Sequence, residues 1–364
     1  MCRPRSIAHL AAVAAALAPG ALAADGAALR GVAATAAGSE QGFSDGALSG
    51  VAFALKKQFD LGADPKKEWD IGVYTDEYLT HSCANYVDDG TTVLSRDKDL
   101  VLKVSSACEG GGCLNSARVM SKDSFKYGLY TFTARVPKCN SVWPAIWLLP
   151  EDKDGNGRYG GWPCSGEIDV LETVDDHAFG TFNLVAGYGT NWNTDENFTC
   201  NRCRPGYVVS SSLKNSSSGA LFIEDVDCSS GAATWQEHTW VMLWEENKLT
   251  TWIDPTLEKD TDGSRIVSIK PKQDPVERTF PSWKTYDRET TTSWSVVEEF
   301  MGQCYPNAAS EAAPFDQDFK IVLNIAIGGY DGAGCKWGDG CSTGCAGAVG
   351  SEMVISDISI WETA

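Results

Sequence analysis

"SGEIDVLET", residues 165–173, carries three carboxylates in six positions, Glu167, Asp169 and Glu172, within a stretch that otherwise reads as a strand. Side chains of a β-strand alternate between its two faces, so Glu167 and Asp169 point the same way and Leu171, not Glu172, should follow them. One extra residue in a β-bulge repairs this. A bulge sets two residues against one on the neighbouring strand and re-aims whatever follows it. A calcium-binding run would place Gly, Asn or further Asp between its ligands, whereas Ile168, Val170 and Leu171 are residues of a buried strand. The stretch therefore reads as a bulged strand that presents three acids to one groove.

The 364 residues are 43% hydrophobic and 22% charged, enough to bury a sizeable core. With 49 acids against 30 bases the formal charge is −19, which lacks the basic footprint that draws a chain to nucleic acid or an anionic membrane. A neutral ligand and a monomer are expected. The chain opens "MCRPRSIAHLAAVAAALAPGALAADG", two arginines, an apolar run and the small-x-small triplet Ala21-Leu22-Ala23, so residues 1–23 read as a secretory signal peptide and the product as extracellular. A membrane anchor is the alternative, but Pro19 and Gly20 interrupt a run that is short for a span. Cleavage removes Cys2 and leaves 12 of the 13 cysteines, an even number that favours disulfides in an exported chain. Cys200, Cys203, Cys335, Cys341 and Cys345 could instead ligate a metal, although no histidine has suitable spacing. Asn197 and Asn215 open glycosylation sequons.

Residues 24–50 are rich in Ala, Gly and Ser and read as a flexible lead; residues 51–364 change character and read as the folded domain. "YGLYTFTARVPK" alternates Tyr130, Phe132, Ala134 and Val136 against Leu129, Thr131, Thr133 and Arg135, the pattern of a half-buried strand. "TWVMLWEENKLTTWIDP" reads as a hairpin turning at Glu246-Asn247-Lys248, and "FKIVLNIAIGG" and "MVISDISIW" supply two further strands. Many short strands without repeats or a long amphipathic helix argue for an all-β sandwich or jelly roll. Of the 13 tryptophans, Trp143, Trp147 and Trp162 lie near the acids in sequence. An aromatic face is complementary to the apolar, slightly positive C–H face of a pyranose. Trp143 and Trp162, each beside a proline, are the candidates for such a groove, and Trp147, followed by two leucines, reads as core.

In order and spacing, "FKYGLYTFTARVPK", "VWPAIWLLP", "WPCSGEIDVLE", "HTWVMLWEENKLTTWID", "FKIVLNIAIGG" and "MVISDISIWE" resemble glycoside hydrolase family 16, over roughly residues 55–362. The resemblance implies a concanavalin A-like β-jelly roll with a concave cleft, and an endo-acting retaining hydrolase. It implies Glu167 as nucleophile, Glu172 as acid/base and Asp169 as the helper between them. The bulged Glu-x-Asp-x-x-Glu form resembles laminarinases and broad β-1,3(1,4)-glucanases, which implies a β-glucan substrate and no cofactor for catalysis. A galactan such as agar or carrageenan is an alternative substrate, and a lectin-like glucan-binding protein is an alternative role. Where many relatives carry a histidine this chain has Asn183, with His177 out of register, and after the late Gly-Gly it has Tyr330; both are expected at the substrate. Relatives often hold a structural calcium, for which Asp357 is the matching position.

Overall fold

The computed structural model describes residues 48–75, 84–105, 114–138, 142–150, 157–159, 165–173, 181–186, 207–212, 233–234, 236–246, 248–272, 276–279, 312–327 and 348–364, with the backbone course alone in 48–50, 75, 181–186, 207–212, 233 and 276–279. The expected signal and most of the lead, the 13 cysteines, Trp162, His177, Asn197, Asn215 and Tyr330 lie outside the described residues.

Two large sheets enclose the main core. One orders β14 (Tyr207–Ser212), β13 (Thr181–Ala186), β12 (Glu167–Glu172), β11 (Val142–Pro150), β21 (Phe319–Ile327), β8 (Arg118–Phe125) and β2 (Trp69–Ile71). The other orders β18 (Thr256–Lys259), β19 (Arg265–Lys270), β1 (Leu48–Gln58), β22 (Glu352–Thr363), β9 (Gly128–Arg135), β16 (His238–Trp244), β17 (Lys248–Ile253) and β20 (Val276–Thr279). To it β5 (Val93–Arg96) and β6 (Asp99–Lys103) add a hairpin through β22. A small patch joins β3 (Tyr74–Thr75), β4 (Ala84–Tyr86) and β7 (Leu114–Ser116), and β10 (Pro137–Lys138) pairs with β15 (Ala233–Thr234). A short helical turn spans Pro65–Lys67. The first strand begins three residues before the boundary drawn at Val51.

Alternation sorts each strand between core and outside. From the seven-stranded sheet, Ile146, Leu148, Ile168, Leu171, Ile321, Leu323 and Ile325 enter the main core; from the ten-stranded sheet Tyr130, Phe132, Trp240, Met242, Ile355 and Ile358 meet them. The hairpin expected around Glu246 forms with Trp244 opposite Leu249. Strand β9 departs from a half-buried pattern. Its other face is also buried, because Leu129 joins Phe53, Val241, Trp252, Ile266, Ile269 and Trp361 in a second cluster, with Ile266 and Ile269 from β19 and Phe53 from β1. The ten-stranded sheet thus encloses apolar side chains on both of its faces.

Strand β9 starts at a position that only glycine suits. Gly128 has φ +126°, and a Cβ there would stand 2.5 Å from the carbonyl oxygen of Trp361. Gly128→Ala combines a disfavoured backbone with a clash against backbone, and is expected to cost about 2–4 kcal/mol, read as a lower urea midpoint at unchanged slope.

Candidate active site

The acids come together through the irregularity of β12. Against β11, Leu171 is opposite Ile146 and Asp169 is opposite Trp147, so β12 advances two residues while β11 advances one. Against β13, Asp169 is opposite Asn183 and Glu172 opposite Thr181, three residues against two. This is the bulge that the Glu-x-Asp-x-x-Glu spacing demands. Val170 and Leu171 both join the main core, which returns Glu172 to the face that carries Glu167 and Asp169. Glu167 and Asp169 are buried and Glu172 is half-buried.

The neighbours follow from the pairing. On β11, Trp143, Ala145, Trp147 and Leu149 share one face, and Ala145, Trp147 and Leu149 form a small cluster with Met120 and Val322, separate from the main core. Trp147, read as core, is buried, in this smaller cluster on the side of the acids and directly opposite Asp169. Its indole Nε1–H donates to Asn324 Oδ1 at 2.7 Å, and Asn324 Nδ2 donates to the Tyr86 hydroxyl at 3.2 Å. The Arg118 guanidinium lies 4.7 Å from the Trp147 ring and 5.6 Å from that of Tyr74, within cation–π range. Trp143, half-buried, donates from Nε1 to Glu172 Oε1 at 3.1 Å. Asn183 occupies the β13 position opposite Asp169.

A polar brace fixes the entry to β12. Gly166, immediately before Glu167, has φ +83°, and a Cβ there would come within 2.8 Å of Pro314. The Ser165 hydroxyl accepts from the backbone N–H groups of Gly157 and Tyr159 at 3.1 and 3.0 Å. Gln317 donates to the carbonyls of Ser165 and Pro314 and accepts from the Arg158 N–H. At its centre the buried Asp316 receives the Tyr159 hydroxyl, 2.8 and 2.7 Å from its two oxygens, and the Arg158 guanidinium at 3.3 Å. Burial, then the hydrogen bond to Asp316, pushes the Tyr159 hydroxyl up to about 12, so it is a donor throughout the physiological range.

Sequence reading passed over Arg118, Asn324 and Asp316. Asn324 had a visible signal, being the one polar side chain between Ile321 and Ile327 of a strand buried on both faces. Arg118 and Asp316 had none, since their partners Trp147 and Tyr159 are distant in the chain. Asp357 is engaged by neutral donors: Gln58 Nε2 at 3.0 Å, the Thr131 hydroxyl at 3.3 Å and the Ser359 hydroxyl at 3.0 and 3.1 Å. It borders a depression of about 520 Å³ shared with Asp60 but also with Lys67 and Lys98. Among the described residues no group of three His, Cys, Asp or Glu side chains around Asp357 is placed to hold a metal ion. The partners of Asp357 are neutral amide and hydroxyl donors.

The fold has recognisable counterparts. A family profile described as "XgeA-like, catalytic GH16 domain" matches residues 75–356, and the chain belongs to glycoside hydrolase family 16. The β-1,3-glucan-binding protein of Penaeus monodon is 27% identical over 219 residues, covering 59% of this chain and 46% of that protein. The glucan endo-1,3-β-glucosidase A1 of Niallia circulans is 26% identical over 221 residues, 60% of this chain and 23% of that protein. The chain thus spans less than half the length of either curated relative. The laminarinase structure from Rhodothermus marinus superposes with a TM-score of 0.53 at 18% identity, over 86% of this chain and 98% of that one, and shares the jelly-roll fold.

The brace makes a prediction of its own. Tyr159→Phe leaves the buried Asp316 carboxylate short of a donor and is expected to lower stability by about 1–3 kcal/mol, measured by urea unfolding. A change below a few tenths would show that the cluster does not hold the entry to β12.

Proposed function

We propose that the chain is a secreted, endo-acting, retaining hydrolase of β-1,3 or mixed β-1,3/1,4 glucans, working by double displacement. The observation that carries this reading is the bulged strand β12, which aligns Glu167, Asp169 and Glu172 on one face beside Trp143 and Trp147. Family membership and the likeness to a glucan endo-1,3-β-glucosidase support the substrate class. In the first half, a Glu167 oxygen bonds the anomeric carbon as the glycosidic bond breaks, and Glu172 gives its proton to the leaving oxygen. In the second, water bonds the anomeric carbon, its proton passes to Glu172, and Glu167 departs as carboxylate. Asp169 shares a hydrogen bond with Glu167, and its charge helps to keep Glu172 protonated near neutral pH. Trp143, Trp162, Asn183 and Tyr330 contact the sugar chain, and no cofactor takes part.

A second reading, glucan binding without hydrolysis, is favoured by the likeness to a β-1,3-glucan-binding protein. Against it, binding alone gives no reason to bury Glu167 and Asp169, since burying carboxylates costs free energy. Incubation with laminarin should release reducing ends, with the β-anomer appearing first by proton NMR. Glu167→Gln should abolish turnover, whereas Glu172→Gln should still cleave substrates with good leaving groups in the first step. An initial α-anomer would mean inversion and overturn the retaining mechanism with its role assignment, and no release at all would overturn the hydrolase reading. The export proposed from residues 1–23 and the even cysteine count carries its own check. Thiol titration of the denatured, unreduced mature protein should find almost no free cysteine.

A further inference from the structure

Trp143 and Glu172 meet because of where the strands put them. Ala145 is directly opposite Glu172, and Trp143 lies two residues further along the same face of β11. That makes Trp143 the diagonal neighbour of Glu172, a separation that long aromatic side chains span. Directly across from Trp143 on β21 is Ala326. Ala145 beside the indole on β11 and Ala326 across from it on β21 have nothing beyond Cβ to hold the ring away from the acid. The contact that results is a hydrogen bond of 3.1 Å from Nε1–H to Glu172 Oε1.

We propose that Trp143 is a positioning residue for Glu172, its indole N–H occupying Oε1 so that the proton Glu172 gives and takes is carried on Oε2. The inference rests on the acid/base role proposed above. An indole nitrogen donates and never accepts, so Oε1 is an acceptor in both charge states, and because the carbonyl oxygen of a protonated carboxyl accepts better than its hydroxyl oxygen, the contact favours the proton on Oε2. In the first half-reaction the proton leaves Oε2 for the glycosidic oxygen as the bond to the anomeric carbon breaks and the bond from Glu167 forms. The carboxylate left behind keeps the N–H on Oε1 and is stabilised by it. In the second half Oε2 takes a proton from the water whose oxygen bonds the anomeric carbon, and the bond to Glu167 breaks. The same contact stops the indole from turning about its own axis, which fixes the face that it offers to a sugar.

Trp143→Phe keeps a ring and removes the donor, which separates this role from stacking. A donor to the charged form favours that form, so its loss makes Glu172 hold its proton to higher pH. The basic limb of the kcat/KM profile on laminarin should move up by about half to one pH unit, while the acidic limb, set by Glu167, stays. Two unmoved limbs with a lower kcat would make Trp143 a platform only and overturn the proposal. A measurement that needs no turnover accompanies it: the Nε1–H proton resonance of Trp143, assigned by its loss in Trp143→Phe or Trp143→Tyr, should titrate in the parent and cease to do so in Glu172→Gln. A resonance indifferent to Glu172→Gln would also overturn the proposal. Release of no reducing ends together with a Trp143 resonance that titrates with Glu172 would remove the hydrolase reading and leave the contact standing.

Discussion

The two-residue alternation of side chains along a strand is the constraint on which this molecule depends. In β12 it makes one residue in two a core residue and leaves its neighbours facing outward, so the same six residues supply Ile168, Val170 and Leu171 to the core and three acids to the site. Within β12 the bulge is the single place where that alternation is broken. Its cost is contained because Val170, the extra residue, is apolar and finds room in the core beside Leu171. A polar residue there would be buried among Ile146, Leu148 and their neighbours without a partner supplied by the ladder. The same device recurs in β22, where Ile355 is opposite Ala134 and Asp357 opposite Thr133, so that Ile355 and Ile358 both reach the core.

How much of this was legible in the chain follows from the range of each interaction. The strands, the hairpin at Glu246 and the bulge were readable because alternation and spacing are local. A shift from two to three between Asp169 and Glu172 announces itself in one line of sequence. Trp147 was legible as a buried residue but not as to its face. The two leucines after it suggested core, yet Leu148 and Leu149 point to opposite faces, and only Leu149 shares the side of Trp147. The Arg118–Trp147 and Asp316–Tyr159 contacts join residues 29 and 157 positions apart, and no period in the sequence carries information at that range. The outer cluster around Leu129 was hidden for a similar reason, since it exists only once β19 and β1 have taken their places in the sheet.

The site itself is a matter of which atoms touch. Trp147 is held by Asn324 and faced by Arg118, and Trp143 is tied to Glu172, so the two indoles on the acid face are fixed by polar contacts at their edges. A ring anchored by its edge keeps its broad face in a constant attitude, which suits the stacking role proposed for this surface.

The two sheets differ in how they are backed, and this has a mechanical meaning. Strands β9 and β16 are sealed on one side by the main core and on the other by the cluster of Phe53, Leu129, Val241, Ile266 and Trp361. Strands β11 and β12 have the main core on one side only, with the acids and indoles on the other. Close-packed layers resist deformation, so the ten-stranded sheet is the keel of the molecule, and the seven-stranded sheet is the lighter plank bolted to it. On the proposed reading, whatever bending a long glucan imposes as it crosses the acids is then taken up on the plank side, while the keel keeps its shape.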